Sequence, residues 1–295
     1  MTKREKTARR LRRQWEKKTF RQAMDKELRE HRSSFIVFSI LHILVLAVLV
    51  RQIMLASYES AFFCVLTLLL LYVPSWLQVK LRIELPPPLE ITILCFIFAA
   101  EILGEVNAFY VVVPNWDTML HTLNGFLCAA IGFSLVDLFN RNERFSLSLS
   151  PVFMAIVAFC FSMTIGVLWE FFECIMDSFF LLDMQKDTIV HDISTVMLDP
   201  TGGNKITAIR GITDVIVVAG GKEIPLGLGG YLDIGLLDTM KDLFVNFIGA
   251  FVFSIIGYFY VKNRGRGRFA RRFIPKVLPE EPVQADEEDS GPDHT

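Results

Sequence analysis

Residues 151–173 read PVFMAIVAFCFSMTIGVLWEFFE, and the first 19 of these positions carry no acidic or basic residue. About 20 mostly apolar residues are what a helix needs to cross roughly 30 Å of hydrocarbon. A water-soluble helix of this length would show one polar face. This stretch shows none before Glu170, so it reads as a membrane span. Five further stretches, 35–55, 60–77, 89–107, 118–139 and 243–261, have the same character.

Composition agrees. Of 295 residues, 52% are hydrophobic and 21% charged, with a mean hydropathy of +0.42. The basic residues are segregated: 13 of 30 Lys and Arg fall in residues 1–34 and 7 in 262–276, leaving 10 between, half of them in one loop. A middle this apolar excludes a soluble globular enzyme. The five cysteines, Cys64, Cys95, Cys128, Cys160 and Cys174, lie in apolar stretches without a Cys-x-x-Cys pair and read as small buried hydrophobes.

The fold expected is an all-α polytopic membrane protein, six transmembrane helices with a small β-hairpin cap in the long loop between helices five and six. Residues 1–34 form a basic cytoplasmic arm, 35–176 helices one to five, 177–241 an extracytoplasmic loop with short strands, 242–261 helix six, and 262–295 a cytoplasmic tail, first basic and then acidic and disordered. The first span follows more than thirty polar residues and reads as a signal anchor, not a cleavable signal peptide. Lys80, Arg82, Arg141 and Arg144 lie in loops that share a side with both basic ends, which places both termini in the cytoplasm. The basic arm and residues 262–272 suit an anionic lipid surface; no folded module accompanies them that would suggest nucleic acid. In the long loop, Ile206–Ile209, Val215–Ala219 and Ile224–Leu228 are β-prone runs separated by turn signals at 199–203 and 220–222, and Gly202-Gly203 reads as a tight turn.

Polar residues inside spans are costly and normally face a protein interior or a wet cavity. Asp117 and His121 are spaced i, i+4 on the fourth span, with Gly125, Ala129 and Gly132 continuing the stripe. Gly166, Glu170, Glu173 and Asp177 share one face of the fifth. Asp238, Asp242 and Asn246 lead into Gly249-Ala250 and Gly257 on the sixth, and the third contributes Glu101 and Glu105 around Gly104. By the orientation above, all these groups lie toward the outer leaflet. Glu170 is 19 residues past Pro151, or about 28 Å at 1.5 Å per residue. The expected result is a packed bundle that widens into an acidic outward-facing pocket. Carboxylates with one imidazole suit Mg²⁺, Mn²⁺ or Zn²⁺, with Asp117, His121, Glu170 and Asp242 as the candidate ligands of a divalent metal. A His beside an Asp equally suits a general base.

Each feature also has a plainer reading. Singly, an acid near a span end can cap a helix or sit among headgroups. Trp116 and Trp169 read as interface-belt residues, His42 as a hydrogen-bonded structural histidine, and Glu84 and Asp137 as cytoplasmic-rim residues. Phe171-Phe172 and Phe179-Phe180 read as lipid-facing. The coincidence across four helices sets the cluster apart.

The run Trp116-Asp117-Thr118-Met119-Leu120-His121, with Trp169-Glu170-Phe171-Phe172-Glu173 and Asp238-Thr239-Met240-Lys241-Asp242, resembles the YjdF-type bacterial inner-membrane family. More distantly, Asp117/His121 and Asp242-x-x-x-Asn246-x-x-Gly249-Ala250 are similar to VanZ-like proteins, which are linked to glycopeptide antibiotic tolerance. Thr118 stands where VanZ-like proteins usually carry Lys, and the long outer loop is additional. The resemblance covers about residues 90–260 and implies a helical protein of the bacterial plasma membrane, with no settled reaction. Three readings fit. The first is a non-enzymatic protein whose pocket binds a cation or polar headgroup, for transport or envelope maintenance. The second is a metal-dependent enzyme acting on a lipid-linked substrate, although no His-Glu-x-x-His, Arg-rich phosphate signature or Gly-x-Ser-x-Gly is present. The third is a scaffold whose β cap docks another envelope protein.

Overall fold

A computed structural model describes residues 32–81, 83–141, 149–263 and 272–277. The basic arm over 1–31 and the acidic tail over 278–295 lie outside the described residues. The helices are α1 (Arg32–Met54), α2 (Tyr58–Leu70), α3 (Val73–Leu81), α4 (Pro87–Phe98), α5 (Phe109–Val112), α6 (Trp116–Arg141), α7 (Pro151–Phe180) and α8 (Leu236–Lys262). Five stretches are long and apolar enough to cross a membrane: α1, the α2–α3 stretch Tyr58–Lys80, Trp116–Asp137, α7 and α8. The third stretch expected from the sequence is built differently. α4 runs without interruption into a π-helix, Ala99–Val106, so neither piece alone reaches span length. The wider winding ends at Asn107, whose backbone and side-chain N–H groups both donate to the Ile102 carbonyl.

Local sequence explains where the long helices begin. At α7, Ser150 accepts a hydrogen bond from Phe153 N–H at 3.2 Å and Pro151 occupies the first turn, where its missing N–H costs nothing. α7 ends 30 residues later at Leu181, in the left-handed conformation (φ 55°). α8 starts from Gly235 at φ 81°, a conformation glycine adopts without steric cost, while Asp233 accepts from the Leu237 and Gly235 N–H groups.

α6, α7 and α8 pack around Ala129, Ala130, Phe133, Met154, Ala158, Ala250 and Phe253. A second core, Leu41, Val45, Cys64, Leu71, Leu94 and Ile102, joins α1, α2, α4 and the π segment. Leu85, Leu89 and Leu127 bridge the two. Outward, apolar side chains such as Ile43, Leu46, Phe62, Leu69, Phe171, Phe172, Phe179, Phe180 and Phe251 are exposed all round. An apolar belt of this extent is the surface of a multi-pass membrane protein in a lipid bilayer.

Small antiparallel strands occupy the long loop. β2 (Ile189–Val190) pairs with β7 (Tyr231–Leu232), β3 (Ile193–Thr195) with β4 (Thr207–Ile209), and β5 (Ile216–Ala219) with β6 (Lys222–Pro225). The β5–β6 hairpin turns on Gly220 and Gly221, both at positive φ as a two-residue turn requires. At the other end of the bundle, β1 (Ile83–Glu84) pairs with β8 (Lys276–Val277). The basic stretch that follows α8 also adds to the bundle: Ile274 is buried in the three-helix core and Phe273 packs against Phe126. Residues 273–274 supply apolar side chains that the Arg-rich flank hides in a charge count.

One further expectation is corrected. Cys95, Cys160 and Cys174 are turned outward by helix periodicity and exposed on the apolar belt, whereas Cys64 is fully buried and Cys128 half-buried. Asp137 is buried near the C-terminal end of α6. Trp169 is half exposed, as a belt residue would be, but its indole N–H also donates to Glu173 Oε1 at 2.8 Å. His42 is held as expected, its Nδ1 3.0 Å from the Phe38 carbonyl.

Candidate functional site

The site follows from one close crossing. A Cβ placed on Gly125 of α6 would lie 2.1 Å from the Asn246 carbonyl oxygen of α8, and one on Gly166 of α7 would lie 2.6 Å from Asn246 Nδ2. A Cβ on Gly249 would lie 2.0 Å from the Thr122 carbonyl. Only glycine permits these approaches. Polar groups pin the same crossing: Ser162 Oγ donates to the Gly125 carbonyl at 2.7 Å, Asn124 Nδ2 to Asn246 Oδ1 at 3.3 Å, and Asn246 Nδ2 to Met163 Sδ at 3.6 Å.

One helical turn from this crossing on each helix stands an ionisable residue: His121 is four residues before Gly125, Asp242 four before Asn246, and Glu170 four after Gly166. α7 runs opposite to the other two, so all three emerge on the same side. His121 Nε2 lies 3.4 Å from Asp117 Oδ1, and its Nδ1 lies 3.7 Å from Glu170 Oε1. One ligand atom from each of Asp117, His121 and Asp242 falls within 4.8 Å of the others. Lys241 Nζ sits 3.2 Å from Asp238, 3.8 Å from Asp242 and 4.0 Å from Asp117.

The group is almost dry. Asp242 is 1% exposed, Glu170 4% and His121 8%. Both Glu170 oxygens, Asp242 Oδ1 and Asp117 Oδ2 are buried without a hydrogen-bond partner. A buried carboxylate without a partner is costly, several kcal/mol after relaxation, unless a proton or cation balances it. The arrangement can therefore hold a proton or a positively charged ligand. With Nε2 3.4 Å from Asp117 and Nδ1 3.7 Å from Glu170, His121 can serve as an imidazole ligand with a carboxylate charge on its far side.

The other residues singled out from the sequence have separate places. Glu173 is buried and held by Trp169. Asp177 accepts from the Met184 and Gln185 N–H groups at 2.6 and 2.8 Å, and Asp238 from Lys186 N–H at 2.9 Å. These two carboxylates staple the segment after α7 onto the start of α8. Glu101 is half-buried and Glu105 exposed on the π segment; among the described residues no hydrogen bond or ion pair ties either to His121. Tyr110 lies between the two groups of acids. Its ring packs on Gly104, and burial first, then the charges of Glu105, Asp117, Glu101 and Glu173, raises its phenol above the ordinary range.

Sequence reasoning passed over Lys241 and the donor role of Trp169. Lys241 had a signal, its i, i+3 spacing from Asp238 inside an apolar helix. Asn124 is legible as a polar residue of the same span that faces somewhat aside from the His121 stripe, and the crossing of α8 is what brings Asn246 to it.

No curated protein and no solved structure matches the chain. The family described as "Predicted membrane protein (DUF2238)" matches over residues 36–263, which takes in all three helices of the site, and the chain belongs to that family.

Proposed function

We propose that this chain is a six-span protein of the bacterial plasma membrane, with both termini cytoplasmic, whose outward-facing pocket binds a divalent cation in support of transport or envelope maintenance. The observation that carries the binding reading is the set of unpartnered buried oxygens on Asp117, Glu170 and Asp242 around a single imidazole. Asp117, His121 and Asp242 supply the ligands, and Glu170 orients His121 as an outer-shell carboxylate. Ligand atoms around a small divalent ion at about 2.1 Å are about 4.2 Å apart when trans and about 3.4 Å apart in a tetrahedron, so the 4.8 Å spread has to contract by about 0.6 to 1.4 Å to close the site. Mixed oxygen and nitrogen donors favour Mn²⁺ or Zn²⁺ over Mg²⁺.

The β1–β8 pairing supports the topology. It holds residues 83–84 and 276–277 on one side of the membrane. Between them α6, α7 and α8 cross three times, and in this reading the stretch Pro87–Val106 supplies a fourth crossing. Together with α1 and the α2–α3 stretch that makes six, and the basic residues flanking β1 and β8 give the shared side to the cytoplasm. The likeness to YjdF-type and VanZ-like proteins, the docking of the basic ends on anionic lipid, and an envelope partner for the β strands belong to the same proposal.

The test is Mn²⁺ binding by the full chain in lipid nanodiscs, read by the loss of the free-ion electron paramagnetic resonance signal. Asp242→Asn is expected to weaken binding by roughly 100-fold, and Glu170→Gln by roughly 10-fold, while the helical circular dichroism is unchanged. Equal affinity in the two variants and the parent would rule the pocket out as the cation site.

A further inference from the structure

Lys241 is the one lysine among the described residues whose ammonium reaches into the acidic pocket, and its geometry is uneven in an informative way. Its shortest contact, 3.2 Å, is to Asp238, one turn back on the same helix. The two longer contacts, 3.8 and 4.0 Å, are to Asp242 Oδ1 and Asp117 Oδ2. Those are two of the buried oxygens that have no hydrogen-bond partner, and both residues belong to the trio able to hold a metal. The Lys241 side chain is 46% exposed, against 2% for the side chain of Asp242 beneath it. The ammonium is thus at the mouth, with an open path outward, while the carboxylates it faces are enclosed.

We infer that Lys241 is a tethered counter-ion of the pocket: its ammonium neutralises Asp117 and Asp242 in the unliganded protein and withdraws onto Asp238 when a divalent cation enters. This rests on the cation reading above and adds how the site is regulated. Asp238 suits the role of parking site because its other oxygen is fixed by Lys186 N–H, so it stays in place while the lysine moves. The flexible four-carbon stem of lysine, carrying a compact charge, makes the swing cheap. A cation entering the pocket displaces one positive charge already there, so the site selects for ions of higher charge than a monovalent one.

Removing a unit charge about 4 Å from the ligand carboxylates is expected to raise Mn²⁺ affinity by about tenfold or more. The experiment measures Mn²⁺ binding by the full chain in nanodiscs for the parent, Lys241→Met, Lys241→Gln and Lys241→Arg. Tighter binding in Lys241→Met or Lys241→Gln, with no gain in Lys241→Arg, is the expected result; the two neutral variants guard against a failure of either one to insert. Parent-like or weaker binding in the neutral variants, with the parent still binding, overturns the counter-ion role alone. Absence of Mn²⁺ binding in the parent and in every variant overturns the cation reading, and this inference with it.

Discussion

The half of the bundle made by α6, α7 and α8 and the half made by α1, α2 and α4 are both apolar, yet they pack by different means. Residues 32–81 contain no glycine, and their core is Leu, Val and Cys side chains meeting side chains. The other half places Gly125, Gly132, Gly166, Gly249 and Gly257 where a Cβ would strike a neighbouring helix. In lipid, apolar side chains gain little by leaving one hydrocarbon for another, so close approach and hydrogen bonds between helices fix geometry. Backbone contact also fixes the axial register of each helix against the next. Here it holds His121, Asp242 and Glu170 one turn from a shared crossing. The looser half carries one histidine, its ring tilted against Phe38 at 3.9 Å and 5.0 Å from Tyr72, with no acid beside it. Close packing is thus what keeps several acids together in this molecule.

Gly125→Val is the most direct way to break that comparison. Its Cβ would meet backbone at 2.1 Å, which cannot move without displacing α8. Overpacking of this kind costs roughly 3 kcal/mol, and separation of α6 from α8 should remove Mn²⁺ binding as well. Ala47→Val on exposed α1 should change neither. The midpoint of thermal unfolding in nanodiscs reads the first effect. Equal midpoints for the two variants would mean that the glycine contacts do not hold the bundle.

Much of this was legible in the sequence for a physical reason: polar groups within an apolar helix can only be tolerated on its protected stripe, so spacing alone placed Asp117 with His121 and Asp242 with Asn246. The acid-rich face of α7 was legible in the same way, and the β-prone runs of the long loop were marked by their flanking glycines. Spacing could not tell which stripes meet. Glu101 and Glu105 look like members of the cluster when each helix is laid out by itself, but the π-winding of their segment is set by backbone hydrogen bonds such as Asn107 N–H to the Ile102 carbonyl. Nor could a charge count show that the chain returns at Ile274 to fill the core. Lys241 was overlooked because a lysine near a span end is ordinarily a snorkelling residue.

His121 and His42 sharpen the same contrast at the level of single side chains. His121→Gln should lower Mn²⁺ affinity by roughly 100-fold, because it removes the only nitrogen ligand and the group that Glu170 orients. His42→Gln should leave affinity within about twofold of the parent, since it alters a hydrogen bond to the Phe38 carbonyl in the other half and no pocket group. Comparable losses from both would mean the halves are coupled in a way their separate cores do not suggest.

The smallest effect belongs to the long loop, where order rests on carboxylates. Asp199 accepts from the Lys205, Thr201 and Gly203 N–H groups and from the Thr201 hydroxyl, at 2.8 to 3.0 Å. Those donors, Lys205 N–H first, pull its carboxyl down from 3.8 to about 2. A group whose value is lower in the folded loop than in the open one contributes order that is complete above pH 3.8 and is lost as pH falls through 2. Protection factors for the Gly203 and Lys205 amides, from hydrogen exchange in nanodiscs, should therefore be constant from pH 7 to about 5 and fall between about 4 and 2. Asp199→Ala should show the low protection at every pH. The apolar contacts among Phe133, Met154 and Phe253 contain no titrating group, so amides there should not follow the same curve. If they do, acid is opening the whole molecule, and the loop is not an independently ordered unit resting on the bundle.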